Sequence, residues 1–376
     1  MPTPPHPIVL AANSAWNIVN FRGGLIRALE HAGYRPIVIA PHEAGAEVRM
    51  TALGVERIAL PIDRSGLNPL TDLRLLLAYR WLLKRLRPAA FLGFTIKPNI
   101  YGCLAAGSLG IPAIPNVSGL GTAFIRPGPL QRLVTNLYRA AFRKAAIILF
   151  QNGDDCRLFV ERRIVPTART RVVPGSGVDL DRFAPAPQAV GPPTFLLVSR
   201  LLGDKGVREF VEAARMLLQR LPSARFQLLG PIDEGNRTAI RREELDRWIG
   251  EGTIEYLGST DDVRPHLANA SAIVLPSYRE GLPRSLLEGA AMARPLIATD
   301  VPGCREVIED GVNGFLCVVR DVRSLADGMA RFADLPMAER EAMGAASRCM
   351  VQERFSEEVV IQAYLDELAR IAAPPS

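Results

Sequence analysis

Two glutamates lie on either side of a position where a helix is expected to begin. They are Glu280 and Glu288, in the stretch YREGLPRSLLEG (278–289), and an apolar run ends just before the first of them. Pro283 is of the residue type favoured at the first position of a helix, and the first turn of such a helix presents free amides to an anion. The segment therefore predicts an anion site with a carboxylate on either side.

Carboxylates would repel a bound phosphate unless they hold something neutral attached to it. Sugar hydroxyls fit, because a carboxylate can accept two hydrogen bonds from a vicinal diol. In a nucleotide sugar, one glutamate could hold the ribose and the other the transferred sugar. The alternative interpretation is two solvated acids near a helix N-terminus, where acids are mildly favoured.

Two cations follow another apolar run, in VSRLLGDKGV (198–207). Arg200 and Lys205 precede an amphipathic helix, and a cation at a helix N-terminus is unfavourable unless an anion binds there. The pair predicts a diphosphate site; the alternative is two loop cations exposed to water. Because such cations would do the electrostatic work of a metal ion, and no DxD-like pair ends a strand, we expect neither a metal nor a cofactor.

Short buried runs alternate with amphipathic segments along the whole chain, which predicts strands of parallel sheets separated by helices. A Pro/Ala/Gly-rich stretch at 181–195 interrupts the pattern once. The sequence thus predicts an α/β protein with two doubly wound Rossmann-like domains, residues 1–185 and 186–355. Ligands are expected at the carboxyl ends of the strands and between the domains. The predicted strands are 7–12, 35–41, 89–94, 112–117, 145–152, 194–200, 224–230, 253–258, 271–277, 294–300 and 314–319.

Charge is distributed unevenly between the halves of the chain. Residues 1–190 contain 23 Lys and Arg against 11 Asp and Glu, whereas the rest contains 22 against 28. A basic first half indicates an anionic partner such as a membrane or a phosphorylated substrate; nucleic acid is disfavoured, because no recognised nucleic-acid-binding module is present. Five scattered cysteines without a CxxC pair, and no signal peptide or spanning run, predict a cytoplasmic protein.

The helix predicted over 70–88 has apolar residues on one side and five Arg and Lys residues among the others. That composition suits a helix lying in a membrane interface. The alternative is a surface helix that packs on the first sheet and exposes a solvated basic side.

Several motifs together resemble the retaining family 4 glycosyltransferases of GT-B fold. They are SRLLGDKG (199–206), EGLPRSLLE (280–288), PGCREVIEDGVNGFL (302–316), PGSGVDLDRF (174–183) and GFTIKPNIYG (93–102). The resemblance implies that Arg200 and Lys205 bind the donor diphosphate, Glu288 the ribose and Glu280 the donor sugar, with assistance from the amides around Gly281, Leu282 and Pro283. It also implies retention of configuration without a protein nucleophile, and a final helix, about 356–371, that returns to the first domain.

The segments TIKPNIYG (95–102) and NVSGLGTAF (116–124) look like the branch that builds capsule or O-antigen polysaccharides on a polyprenyl diphosphate carrier. This implies a lipid-linked saccharide acceptor at the inner face of the cytoplasmic membrane. Asn116 and Ser118 stand where many relatives have a histidine. Lys97 is the candidate for the acceptor phosphate, with a solvated loop lysine as the alternative. The acceptor-binding candidates are Thr95, Lys97, Asn99, Gly119 and Gly121.

The expected function is transfer of a sugar from a nucleotide sugar, UDP-linked by preference, to that acceptor. A nucleotide-sugar epimerase of the same fold, a non-catalytic sugar-binding scaffold and a membrane-binding adaptor are the alternatives. The donor sugar, the acceptor and the linkage do not follow from the sequence.

Overall fold

The computed structural model describes residues 6–63, 68–120, 124 and 128–372, and the chain forms two compact units. The first unit is Met1–Ser176 with Glu357–Ser376, and the second is Gly177–Ser356. The division falls before the boundary predicted at residue 185, because Val178 and Phe183 are buried in the core of the second unit. The Pro/Ala/Gly-rich stretch therefore lies within the second unit rather than between the two.

The first unit is built on a sheet of seven parallel strands in the order β3-β2-β1-β4-β5-β6-β7. The five runs predicted in this half all form strands. The strands are β1 Pro7–Ala11, β2 Arg35–Ala40, β3 Glu56–Ala59, β4 Ala90–Gly93, β5 Ala113–Val117, β6 Ile148–Phe150 and β7 Thr170–Val172.

The sequence analysis missed β3 and β7, which are the two edges of this sheet. None of their residues is fully buried, so neither strand reads as the continuous apolar run that marks a strand covered on both faces. Edge strands of this kind have no strong pattern of their own.

Helices cover both faces of the first sheet. They are α1 Ala15–Phe21, α2 Gly23–His31, α3 Glu47–Ala52, α4 Pro69–Leu86, α5 Cys103–Ser108, α6 Pro129–Phe142, α7 Gly153–Glu161 and α14 Glu357–Ala372. Helices α1 and α2 follow each other directly and meet at Arg22. This arginine is buried with its guanidinium 4.2 Å from the ring centre of Phe94.

The core of the first unit has two layers, because successive residues of a strand point to opposite faces. Val9 and Ala11 face the layer that contains residues of α4, α5, α6 and α7. Ile8 and Leu10 face the layer that contains residues of α1, α2 and α14, among them Tyr364. Each large apolar side chain buried in this way contributes about 1.5–3 kcal/mol.

The second unit repeats the plan with six parallel strands in the order β10-β9-β8-β11-β12-β13. All six strands predicted for this half are present. The strands are β8 Thr194–Val198, β9 Arg225–Leu229, β10 Glu255–Tyr256, β11 Ala272–Leu275, β12 Leu296–Thr299 and β13 Gly314–Cys317. The helices are α8 Val207–Leu218, α9 Arg242–Gly250, α10 Arg264–Asn269, α11 Arg284–Ala291, α12 Val322–Asp334 and α13 Met337–Arg354.

In each sheet the strand order reverses beside the first strand of the unit, between β1 and β4 and between β8 and β11. Open sheets of this type bind ligands outside the carboxyl ends of the strands at that reversal. The predicted α/β fold with two doubly wound sheets is confirmed, and its topology marks the loops after β4, β8 and β11 as the places to look for a site.

Among the residues that the structure describes, no helix combines the length and the apolar character that crossing a bilayer requires.

Candidate functional site

The loops that follow β8 and β11 lie directly against each other. The chain leaves β8 at Val198, makes a short turn over Gly203–Lys205 and enters α8 through Gly206, whose φ is 72°. A Cβ atom on Gly206 would lie 2.1 Å from the carbonyl oxygen of Pro276 in the other loop. The backbone N–H of Tyr278 also donates to the carbonyl of Asp204 at 3.0 Å. Only glycine permits both this approach and this φ.

This close approach brings two of the predicted residues together. Lys205 Nζ lies 2.5 Å from Glu280 Oε1. The same carboxylate oxygen accepts a hydrogen bond of 2.6 Å from the hydroxyl of Ser277, a buried residue. The Glu280 side chain is 12% exposed and that of Lys205 is 23% exposed. The carboxylate is therefore fixed in orientation, and part of it still reaches solvent.

Glu288 is paired by its own helix. It lies on α11, where Arg284 one turn earlier donates from Nε to Glu288 Oε1 at 2.8 Å. Arg284 also donates from Nη1 to the carbonyl of Gly177 at 2.9 Å. Burial raises the pKa of the Glu288 carboxyl above its ordinary value, and the charge of Arg284 opposes that rise. Both glutamates are thus held by cations from the same unit.

The structure does not place Arg200 in the same cluster of contacts. Its guanidinium pairs with Asp233 at 2.7 Å, and its side chain is 55% exposed. A long exposed side chain in a surface pair is held by only a few tenths of a kcal/mol to about 1 kcal/mol. Arg200 can therefore exchange this partner for a ligand at low cost.

The segment Gly281–Pro283 connects Glu280 to α11. Pro283 caps the helix with φ −74° and ψ 114°, so the helix begins at Arg284, one residue later than predicted. The first turn of a helix leaves backbone N–H groups without partners inside the helix. Gly281 is buried and Leu282 is partly exposed.

A third loop packs onto this segment. Gly303 follows β12 with φ 84°, and a Cβ atom on it would lie 2.4 Å from the carbonyl oxygen of Gly281. The loop containing Gly303 thus sets the position of the backbone next to Glu280. The Pro-Gly pair at 302–303 is typical of a turn, but the sequence does not reveal that this turn contacts the segment after β11.

In the first unit, the candidates that follow β4 have well-defined partners. Thr95 Oγ1 accepts a hydrogen bond of 2.9 Å from the backbone N–H of Asn13. Lys97 Nζ lies 2.7 Å from Asp72 Oδ1, and Tyr101 donates to the other oxygen of Asp72 at 2.8 Å. The Lys97 side chain is 11% exposed. It therefore belongs to a partly buried ion pair and is not the solvated lysine of the alternative interpretation.

Asn99 is almost wholly buried, and its side-chain amide donates to the carbonyl of Asn116 at 2.8 Å. It therefore joins the ends of β4 and β5 and is closed off from solvent in this conformation, and its role as an acceptor contact stays a prediction. Asn116 is likewise buried and donates to the hydroxyl of Tyr364. Asn116 and Ser118 stand where many relatives have a histidine, and of the two only Ser118 is exposed.

Two glycines, Gly119 and Gly121, were predicted to allow an acceptor to approach the backbone closely. Gly119 has a φ of 120°, which other residues rarely adopt. Gly121 lies outside the described residues. Within the described part of the chain, no group of three or more His, Cys, Asp and Glu residues is arranged to hold a metal ion.

Sequence reasoning missed three contributors to the site. Ser277 and Arg284 hold the two glutamates, and Gly206 allows the two loops to touch. The contact of Arg284 with Glu288 could have been predicted from helix geometry, since residues four apart on a helix are neighbours. Ser277 and Gly206 act through contacts between loops that the sequence does not reveal. The roles of the predicted residues toward a ligand stay predictions.

Two protein-family models match the chain, one on each unit. Residues 19–175 match a glycosyl transferase 4-like domain, and residues 192–334 match glycosyl transferases group 1. Together they span most of the chain.

Relatives with established names align along much of the sequence. The N,N'-diacetylbacillosaminyl-diphospho-undecaprenol alpha-1,3-N-acetylgalactosaminyltransferase of Campylobacter jejuni is 28% identical over 374 residues, covering 94% of this chain and 96% of that protein. The UDP-Gal:alpha-D-GlcNAc-diphosphoundecaprenol alpha-1,3-galactosyltransferase of Escherichia coli is 24% identical over 294 residues, covering 74% of this chain and 75% of that protein.

Solved structures show the same fold at low identity. HepE of Anabaena, in complex with UDP and glucose, has a TM-score of 0.82 at 16% identity and covers 97% of this chain and 100% of its own. A glycosyltransferase from Rickettsia africae has a TM-score of 0.80 at 18% identity, covering 99% and 100%.

Proposed function

Because the chain belongs to the GT-B glycosyltransferases that join a glycosyl transferase 4-like domain to a group 1 domain, we propose that it extends a lipid-linked saccharide from a nucleotide sugar. The donor is a UDP-sugar by preference, and the acceptor is a saccharide on polyprenyl diphosphate. The observation that supports this proposal most directly is the contact of Lys205 with Glu280, at the strand-order reversal of the second sheet. The relatives from Campylobacter and Escherichia coli have names that specify acceptors on diphospho-undecaprenol.

In the proposed donor site, the ligand takes over the partners that the side chains now give to one another. Lys205 moves its ammonium group from Glu280 to the donor diphosphate, and Arg200 leaves Asp233 to join it. Glu280 is then free to accept hydrogen bonds from the hydroxyls of the donor sugar, with Ser277 keeping its orientation. The backbone N–H groups of Gly281, of Leu282 and of the first turn of α11 face the phosphate, where a helix N-terminus favours negative charge; Pro283 has no N–H to donate.

Glu288 is assigned to the ribose. Its carboxylate lies on α11 about a turn and a half beyond the cap, and Arg284 holds one of its oxygens. A diol would bind to the remaining acceptor positions. The raised pKa of Glu288 reflects burial, and hydrogen bonds donated by a diol favour the ionised form.

The proposed reaction breaks the bond between the anomeric carbon and the phosphate oxygen. A bond from that carbon to an acceptor hydroxyl oxygen forms on the same face, and the hydroxyl proton passes to the departing phosphate oxygen. Configuration is retained without a covalent enzyme intermediate. Arg200 and Lys205 stabilise the charge that develops on the nucleoside diphosphate, so a divalent metal is not needed.

The proposed acceptor site belongs to the first unit, in the loops after β4 and β5. Thr95 and Lys97 are its candidate polar contacts, and Gly119 is the point where backbone can approach a sugar closely. Lys97 would exchange Asp72 for an acceptor phosphate. A lipid-linked acceptor places the enzyme at the inner face of the cytoplasmic membrane as a peripheral protein.

The test is a donor screen with radiolabelled nucleotide sugars and a synthetic polyprenyl diphosphate-linked saccharide, with and without EDTA. We expect transfer from one UDP-sugar, unchanged by EDTA, and a product whose anomeric configuration by NMR matches that of the donor. An inverted product would refute retention, and loss of activity with EDTA would refute metal independence. Conversion of a nucleotide sugar to its epimer without an acceptor would show the epimerase instead.

A further inference from the structure

The strongest feature outside the proposed catalytic machinery is a basic pocket on the first unit. It is a cavity of about 460 Å³ between α6 and the end of α7. The residues that line it all have polar or charged side chains, and they are Gln131, Arg132, Thr135, Asn136, Arg139 and Arg162. We refer to this set as the arginine pocket.

The arginines of this pocket have no acidic partners among the described residues. Arg139 is fixed by neutral acceptors, donating to the carbonyls of Arg162 and Arg163 and to the side chain of Asn136. The Arg162 guanidinium lies 6.0 Å from the ring centre of Phe124. Residues 124–152 contain five Arg and Lys and no Asp or Glu. The pocket therefore presents uncompensated positive charge in a partly fixed arrangement, which is the chemistry that binds phosphate oxygens.

Apolar side chains are exposed beside the pocket. Leu130 and Leu133 lie three residues apart on α6, and Leu133 is also three residues before Asn136, so they border the arginine pocket on the helix surface. Exposed leucines next to arginines are typical of a helix that lies in a membrane interface.

Helix α4 offers a second apolar stripe in the same layer. It packs against α5, which packs against α6, and all three cover one face of the first sheet. Its outward residues Leu70, Leu73, Leu77 and Trp81 are spaced for one side of a helix, and each is more than half exposed. Arg74, Lys84 and Arg85 are exposed close to them in the helix.

We propose that the arginine pocket binds the phosphate of an anionic phospholipid headgroup, while the exposed leucines of α4 and α6 enter the lipid interface beside it. The occupant is a bilayer rather than a nucleic acid. The aliphatic side chains next to the cations would stay in contact with water if the cations bound a nucleic acid, whereas a lipid interface removes them from water. Basic residues near an anionic surface add to binding independently of sequence-specific contacts. The proposal agrees with a lipid-linked acceptor, but its test does not use transfer activity.

The first experiment is co-sedimentation of the full-length protein with vesicles. Vesicles of phosphatidylcholine alone are compared with vesicles in which about a third of the lipid is phosphatidylglycerol. We expect binding to the anionic vesicles that weakens as salt is raised. The triple variant Arg132→Gln, Arg139→Gln, Arg162→Gln should partition on the order of a hundredfold less, at about fivefold per arginine.

A matched control removes the same charge elsewhere. The variant Arg220→Gln, Arg242→Gln, Arg323→Gln changes three exposed arginines of the second unit and should bind vesicles as the unmodified protein does. If both triple variants lose binding equally, net charge and not the pocket is responsible, and the proposal is wrong. Equal binding to neutral vesicles, or no vesicle binding at all, would also overturn it.

A second arm separates a lipid headgroup from free phosphate. Inorganic phosphate and sodium chloride are added at matched ionic strength, and phosphate should weaken vesicle binding more than chloride does, because it competes for the arginine pocket. Equal weakening by the two salts would show that the pocket holds no phosphate and would overturn the proposal, while phosphate binding by protein that does not bind vesicles would assign the pocket to a soluble phosphate compound. The double variant Leu73→Gln, Leu77→Gln should reduce vesicle binding while sedimentation velocity stays unchanged; a change in oligomeric state would instead identify this face as an interface between two copies.

Discussion

Replacing Lys205 by methionine tests the proposed electrostatic role most directly. The change removes the ammonium group and keeps a flexible apolar side chain of similar length. Two unit charges about 4 Å apart interact by about 4 kcal/mol at the effective dielectric constant of a partly exposed site. The loss of one preorganised group that stabilises developing negative charge costs on the order of 100- to 1000-fold in kcat. Because Lys205 is about a quarter exposed and Arg200 can share the charge, we expect a loss of about 100-fold.

Stability should change far less than activity. In the variant, Glu280 keeps the hydrogen bond from Ser277 and loses the bond from the ammonium group. A hydrogen bond to a charged group contributes about 1.5–3 kcal/mol, and partial exposure lets water replace some of it. A total stability of about 5–15 kcal/mol absorbs such a loss, so the variant should remain folded at the assay temperature.

The assay is steady-state kinetics with the donor that the screen identifies, together with urea denaturation of the same samples. The control is Arg220→Met, which removes a surface arginine paired with Asp334 and should leave kcat unchanged. A kcat for Lys205→Met within about threefold of the unmodified enzyme would refute the reasoning. So would a loss confined to KM, since that would mean that Lys205 binds donor and transition state equally.

Three further outcomes follow from contacts in the structure. Burial raises the pKa of the Glu288 carboxyl above the ordinary 4.5, so its protonated form stabilises the protein at low pH and this contribution is lost as pH rises through the raised pKa. In Glu288→Gln, the free energy of unfolding measured by urea denaturation should show no such decline between about pH 4 and pH 8. Asp72→Asn should cost about 3–5 kcal/mol in unfolding free energy because Lys97 is left buried without its partner, whereas replacing both by apolar residues should cost little. Gly206→Ala should lower both activity and melting temperature, since φ is 72° and a Cβ would meet the neighbouring loop at 2.1 Å, while Gly250→Ala, with open space around it, should change neither.

The fold was largely predictable because buried parallel strands have a strong signal. Eleven of the thirteen strands are short apolar runs flanked by amphipathic segments, and those runs were found. The edge strands β3 and β7 were missed because their residues are only partly buried or exposed.

The candidate site was predictable in residue type and less so in partners. Glu280 and Lys205 were singled out from their positions after apolar runs, and the structure joins them. Asn99 follows an apolar run in the same way but points into the core, because a spacing signal does not distinguish the buried side of a loop from its open side. The pairs that Arg200 and Lys97 form with Asp233 and Asp72 could not be read from the sequence, since each joins segments that are distant along the chain.

The position of α14 has a consequence for synthesis on the ribosome. Tyr364 and Leu368 of this helix are buried in the first unit beside residues of β1 and β2, although the entire second unit is translated in between. The first unit therefore cannot close its hydrophobic core until α14 leaves the exit tunnel, while the second unit has its whole sequence available earlier. The nascent protein must keep an apolar sheet face unfilled for that interval, which makes the N-terminal half the part that needs chaperone protection.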